Sequence, residues 1–185
     1  MRLLWCWAIT LVAASAQDVA STCANPIVGE NTLPGSPSNE WDINGAGDPT
    51  IQGFATSISV SAGEDVSFKV KTDANSYRID IYRLGYYGGD GARRHATLAP
   101  SAPLPQHQPE CLYEESTQLV DCGTWEVSAT WQVPPETVSG LFVARLVRTD
   151  PVPADKENWR TDNSLDHWDI KVTERTVLPL YFLSA

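Results

Sequence analysis

Between Thr124 and Val133 the chain alternates without interruption: Trp125, Val127, Ala129, Trp131 and Val133 fall on one face, Thr124, Glu126, Ser128, Thr130 and Gln132 on the other. Side chains of period two belong to an extended strand with one buried face; a helix would scatter these apolar residues around its whole circumference. The pattern recurs upstream. Phe54, Thr56, Ile58 and Val60 share a face opposite Ala55, Ser57, Ser59 and Ser61. After an Ala62-Gly63 turn, Val66, Phe68 and Val70 alternate with Asp65, Ser67, Lys69 and Lys71, which predicts a hairpin with one buried face. GLFVARLVR, residues 140–148, is apolar on both faces apart from its arginines and predicts a central strand covered on both sides.

Pro/Gly/Ser-rich connectors, TLPGSPSNE at 32–40 and APSAPLPQHQPE at 99–110, separate these runs and break helices and central strands alike. No window of a dozen residues has helical periodicity. Short strands with turns between them, in 185 residues, predict an all-β chain: a two-sheet antiparallel β-sandwich, immunoglobulin-like or jelly-roll-like, with an irregular C-terminal tail.

The organisation follows from the ends inward. MRLLWCWAITLVAASAQ places Arg2 before an apolar run and ends in Ala14-Ser15-Ala16, so residues 1–16 read as a signal peptide and the product as secreted. The run is shorter than the ~20 residues that span a bilayer, and no membrane span is expected. Residues 17–150 form the sandwich module, and 151–185 a divergent tail. That tail offers one strand candidate at 167–172 and an apolar stretch at 177–183 broken by Pro179.

Export gives the remaining cysteines meaning, because thiols pair in an oxidising compartment. CLYEESTQLVDC has the length and polarity of a loop closed by its own ends, which predicts a Cys111–Cys122 disulfide worth roughly 3 kcal/mol in the chain-entropy account. Cys23 is then odd: a free thiol, or a link to another chain. The net charge of −10 grows one unit more negative when Arg2 leaves, and such a surface repels phosphate backbones, so nucleic acid is excluded as a partner. No Asn-x-Ser/Thr sequon is present.

The run from Asn25 to Arg93, which contains IYRLGYYGG, resembles the amino-terminal module of secreted proteins whose catalytic part is similar to the large (beta) subunit of N,N-dimethylformamidase. The likeness continues through Leu104-Pro105-Gln106, Cys111, Asp121-Cys122-Gly123, Trp125, Trp131, Val133-Pro134 and GLFVARLVRTD, ending near Asp150. It implies a β-sandwich, with amide hydrolysis carried out by a downstream amidotransferase-like domain that holds one iron between tyrosine and glutamate ligands. The family usually follows Arg-Leu-Val-Arg-x-Asp with a His-Ile-x-Phe-Val-Val-Arg-Asp-Asp strand, and the Asp150-Pro151 continuation does not reach it. A truncated product without its catalytic domain is the expectation.

The residues themselves offer little chemistry. A nucleophile elbow, Gly-x-Ser-x-Gly, is absent, and Cys111 near His107 is consumed by the disulfide. His95, His107 and His167 lack metal-ligand spacing and read as solvated side chains. DINGAGD at 42–48 places Asp42, Asn44 and Asp48 around a bend as calcium loops do. The twelfth position is Gly53 where a bidentate glutamate is required, so a side-chain-stabilised turn is the reading. No cofactor and no metal site are expected.

The glycine-rich turn after the strand at 78–84 is the remaining candidate. Ile79 and Ile81 point inward and Arg78, Asp80 and Tyr82 away, with a bulge near Arg83-Leu84 and positive φ at Gly85, Gly88, Gly89 and Gly91. Tyr86 and Tyr87 cannot both point inward. Asp80, Tyr82, Arg83, Tyr86, Tyr87 and Asp90 are therefore the candidate docking or ligand surface, either a corner where one tyrosine caps the sandwich while Arg83 pairs with Asp80 or Asp90, or a platform for a sugar. The functional expectation is an exported non-catalytic accessory module acting by docking or adhesion, whose partner is a catalytic domain. The alternatives are an amidohydrolase acting on C–N bonds together with that domain, and a carbohydrate-binding module for a cell-surface glycan.

Overall fold

The structure, a computed structural model, describes residues 25–42, 50–151 and 175–182. The expected signal peptide, Cys23, the calcium-like bend beyond Asp42 and the strand candidate at 167–172 lie outside the described residues. Two short helices come first, α1 (Pro26–Glu30) and α2 (Ser38–Trp41). Strands follow: β1 (Ile51–Ala55), β2 (Asp65–Thr72), β3 (Tyr77–Leu84), β4 (Ala92–Leu98), β5 (Leu112–Glu114), β6 (Leu119–Asp121), β7 (Ala129–Gln132), β8 (Gly140–Arg148) and β9 (Arg175–Phe182).

One antiparallel sheet has the order β1-β2-β7 and the other β4-β3-β8-β9, while β5 and β6 make a separate hairpin. The sheets bury their facing side chains against each other: Val66, Phe68, Val70 and Trp131 from the first, Ile79, Ile81, Phe142 and Leu146 from the second. Alternation put them there, and the dry layer they form is the main driving force for the fold. The Cys111–Cys122 bond closes the β5–β6 hairpin as expected. Among the described residues no helix is long and apolar enough to cross a membrane.

Four details depart from the sequence reading. The alternation from Phe54 runs on to Val60, yet β1 ends at Ala55, with one further bond from Thr56 N–H to Ser67 O, and Ile58 is 79 % exposed. The turn over 61–64 closes on itself through Glu64 and bonds Val133, beside β7, instead of extending β1. Val127 is likewise exposed, and β7 begins only at Ala129. Residues 175–182 do not remain an irregular tail but pair with β8 along its length, leaving β9 as an edge strand, where Pro179 is tolerated.

The fourth concerns His95. The bulge lies at Ile81/Tyr82 rather than at Arg83-Leu84: Ile81 faces Ala96 and Tyr82 faces Arg94, so His95 is the extra residue on β4. His95 is not a solvated side chain. Its ring stands edge-on to Trp131 and Phe142, with centroids 5.7 and 5.5 Å away, and Nε2 lies 3.3 Å from Thr137 Oγ1. Burial, reinforced by the charge of Arg93, holds its pKa below the ordinary value of 6.5. Its Nδ1 has no partner among the described residues, so the charged ring, protonated on both nitrogens, would hold a buried N–H without an acceptor. Because the folded value is depressed, the stability given by neutral His95 is complete above 6.5 and is lost as pH falls through the folded value. Urea midpoints should therefore drop more steeply from about pH 7 to pH 5 in the native chain than in His95→Gln; equal slopes would show that His95 carries no such linkage.

Candidate functional site

The turn between β3 and β4 is built around a tyrosine in an unfavourable backbone state. Tyr87 has φ +42°, a left-handed conformation that a bulky L-residue adopts at a cost. Gly88, Gly89 and Gly91 also have positive φ, as predicted; Gly85 does not, and Tyr87 takes that role instead. At Gly91 two demands coincide, because φ is +83° and an added Cβ would lie 2.8 Å from the Trp41 ring.

Contacts from the N-terminal segment hold Tyr87 in place. The Tyr87 hydroxyl donates to Glu30 Oε1 at 3.0 Å and accepts from Arg83 Nη1 at 2.9 Å. The same Glu30 oxygen accepts from Arg93 Nε and Nη2 at 2.9 and 2.6 Å. Both guanidinium carbons sit 6.0 Å from the centroid of the Tyr87 ring. Arg83 spends its remaining donors on main-chain oxygens, Ser139 at 2.6 Å and Val138 at 3.3 Å. Burial pushes the Tyr87 phenol above its ordinary value, partly opposed by the hydrogen bond from Arg83.

α1 is placed for this task by its own sequence. Asn25 caps it by accepting from Ile27 N at 3.0 Å, and Pro26 begins it with φ already set. Asn31, just past its end, accepts from Tyr86 N through Oδ1 at 2.6 Å. The following chain covers the free edge of β4, with Ser36 N donating to Ala92 O at 2.8 Å and Arg94 N to Ser36 Oγ at 3.1 Å. Trp41 Nε1 closes the strap by donating to Asp90 O at 3.1 Å.

These contacts divide the six candidate residues. Asp80, Tyr82, Arg83 and Tyr87 are buried; only Tyr86, at 71 % exposure, and Asp90 reach the surface. Arg83 pairs with neither Asp80 nor Asp90, since the phenol and carbonyls above satisfy it. Asp80 is held by Arg78 Nε and by the Thr97 hydroxyl. Tyr82 sends its hydroxyl to Glu40 O at 3.1 Å. The sequence reading missed Glu30 and Arg93, separated from Tyr87 and from each other by chain that gives no local signal; the cap Asn25-Pro26, which fixes where Glu30 falls, was the available one.

Tyr86 stands over a cleft of about 650 Å³ between the corner and α1, lined by Ile27, Val28, Leu33, Pro34 and Tyr87, with Asn31 and Asp90 at polar positions. A cleft of this size and apolar character takes a side-chain cluster or a small molecule. Among the described residues no group of three or more His, Cys, Asp or Glu could hold a metal ion.

A two-sheet β-sandwich carrying a rigid, apolar corner cleft is the class that these features define. Residues 78–167 match the family model described as N,N-dimethylformamidase beta subunit-like, C-terminal, and over that span the chain resembles this family. The matched part begins in β3 and takes in the corner, β4, the disulfide hairpin, β7 and β8. Its description is C-terminal, whereas the motif resemblance places the same stretch in an amino-terminal module; the two agree on the family. No curated protein and no solved structure matches the chain.

Replacing Glu30 by Ala leaves Arg93 without its carboxylate, removes the acceptor of the Tyr87 hydroxyl and leaves the strained φ unsupported. The expected loss is about 2–4 kcal/mol in urea unfolding. A change below about 0.5 kcal/mol, the usual range for surface sites, would mean that the corner is held by other contacts.

Proposed function

We propose that this chain is an exported, non-catalytic β-sandwich module, accessory to an N,N-dimethylformamidase-like protein, which docks its catalytic partner through the corner cleft. The observation that carries this reading is the cleft itself: an apolar hollow beside an exposed tyrosine, on a corner held by part-buried charge-assisted hydrogen bonds. Pre-organisation favours binding, because little side-chain or loop freedom remains to be lost on association. Tyr86 has the character of an interface anchor, a large ring with a polar tip. The partner surface this fits is an apolar projection, with a hydrogen-bond donor facing Asp90. In this reading amide hydrolysis belongs to the partner, as the family resemblance implies, and the module positions it.

A second reading rests on Tyr86 too. An exposed ring beside Asn31 and Asp90 is also how a sugar is stacked and hydrogen-bonded. Calorimetric titration against a separately produced dimethylformamidase-like catalytic chain, together with a glycan array, distinguishes the two. Docking predicts that Tyr86→Ala folds with nearly native stability and binds the catalytic chain about tenfold or more weakly. Unchanged affinity in Tyr86→Ala contradicts docking at this cleft, and glycan binding without affinity for the catalytic chain transfers the site to the second reading.

A further inference from the structure

The outer face of the second sheet, turned away from the sandwich core, holds a buried cation without a counter-ion among the described residues. Arg145 lies on β8 directly opposite Asp80 of β3 and is 2 % exposed. Its Nε and Nη2 make no hydrogen bond, and it enters no ion pair among the described residues. An arginine does not escape this situation by losing its proton. Removing a guanidinium from water costs several kcal/mol unless acceptors replace the lost water, and Nε and Nη2 of Arg145 have none.

Asp80 does not fill that need. Its Oδ1 accepts from Arg78 Nε at 3.1 Å and from the Thr97 hydroxyl at 2.8 Å, and its Oδ2 from Arg78 Nε at 3.0 Å. One carboxylate therefore balances one arginine, and among the described residues Arg145 is surplus. A second, independent observation concerns the neighbourhood. Arg94 of β4 sits opposite Tyr82, next along β3 on the face that carries Arg78 and Asp80, so three arginines gather around one aspartate in a chain whose net charge is −10. Arg78 is partly exposed and Arg94 exposed, so both remain available to an ion arriving from solvent. The other two buried arginines among the described residues are satisfied: Arg148 by Asp73 and Asp150, and Arg83, without a carboxylate, by the Tyr87 hydroxyl and the carbonyls of Val138 and Ser139.

We infer that the outer face of this sheet is an anion site, at which a carboxylate or phosphate group is taken by the unshared edge of Arg145, with Arg78 and Arg94 at its approach. The planar fork of a guanidinium suits either anion, since each offers two oxygens at matching separation. The site stands apart from the corner cleft, whose lining includes none of these arginines.

Scanning calorimetry of the full chain, at constant ionic strength and over a millimolar range of sodium phosphate or of sodium acetate, tests the assignment. A saturable rise in Tm of roughly 3–6 °C is expected at about ten times Kd. The larger response of the two identifies the group the site prefers. Arg145→Met should abolish the rise while leaving the anion-free Tm unchanged or higher. Arg145→Lys, which keeps charge but loses the fork, should weaken it and serves if the Met variant does not fold. No saturable shift with either anion, or an equal shift without the guanidinium, overturns the inference.

Discussion

The Glu30 carboxylate joins three parts of the chain that are distant in sequence, and the corner depends on it. One of its oxygens receives two N–H donors from Arg93 and the hydroxyl of Tyr87, which in turn orients Arg83 toward the carbonyls before β8. Two positive charges beside one carboxylate would be a poor arrangement in isolation. It succeeds here because the phenol lies between them, its ring facing both guanidinium groups, and because main-chain oxygens absorb the rest of Arg83. The left-handed Tyr87 is the consequence: its cost is met by a side chain fully occupied on the buried side. Turning Tyr87 inward leaves its neighbour Tyr86 outward, over the cleft.

Much of the sandwich was legible because burial and alternation are the same fact seen in two ways. Val66, Phe68 and Val70 on β2, and the doubly covered β8, follow directly from the residue order. Alternation misled where no partner strand continued. Ile58 has the right spacing but no strand to share, because the turn at 61–64 bonds toward Val133. β9 was hidden for the opposite reason: Pro179 argues against a central strand but not against an edge, and only topology decides which of the two a segment becomes.

The candidate site was half legible. That one tyrosine of the pair must be outside follows from an extended chain, and the glycines announced a reversal. What the order of residues could not disclose was that the outward-pointing side chains of β3 would themselves be covered. Asp80 and Tyr82 face away from the core yet are buried, and the strap from α1 through Trp41 accounts for Tyr82. Polar residues on the outer face of a strand normally indicate solvent; here they indicate a second, partly polar layer, in which Nε and Nη2 of Arg145 have no hydrogen-bond partner among the described residues. The family likeness over 78–167 takes in the β3–β4 corner but not α1 or the segment from Asn31 to Gly35, which forms the other wall of the cleft.

The central claim is that the N-terminal segment locks the corner, so that Tyr86 is presented on a fixed surface. Amide hydrogen exchange at Gly85 and Tyr86 measures this most directly, because their N–H groups donate to Gly91 O at 3.0 Å and Asn31 Oδ1 at 2.6 Å. A locked corner predicts protection at both approaching that of Ile81 in the core of β3. Exchange at the rate of an open loop, with Ile81 still protected, would contradict it.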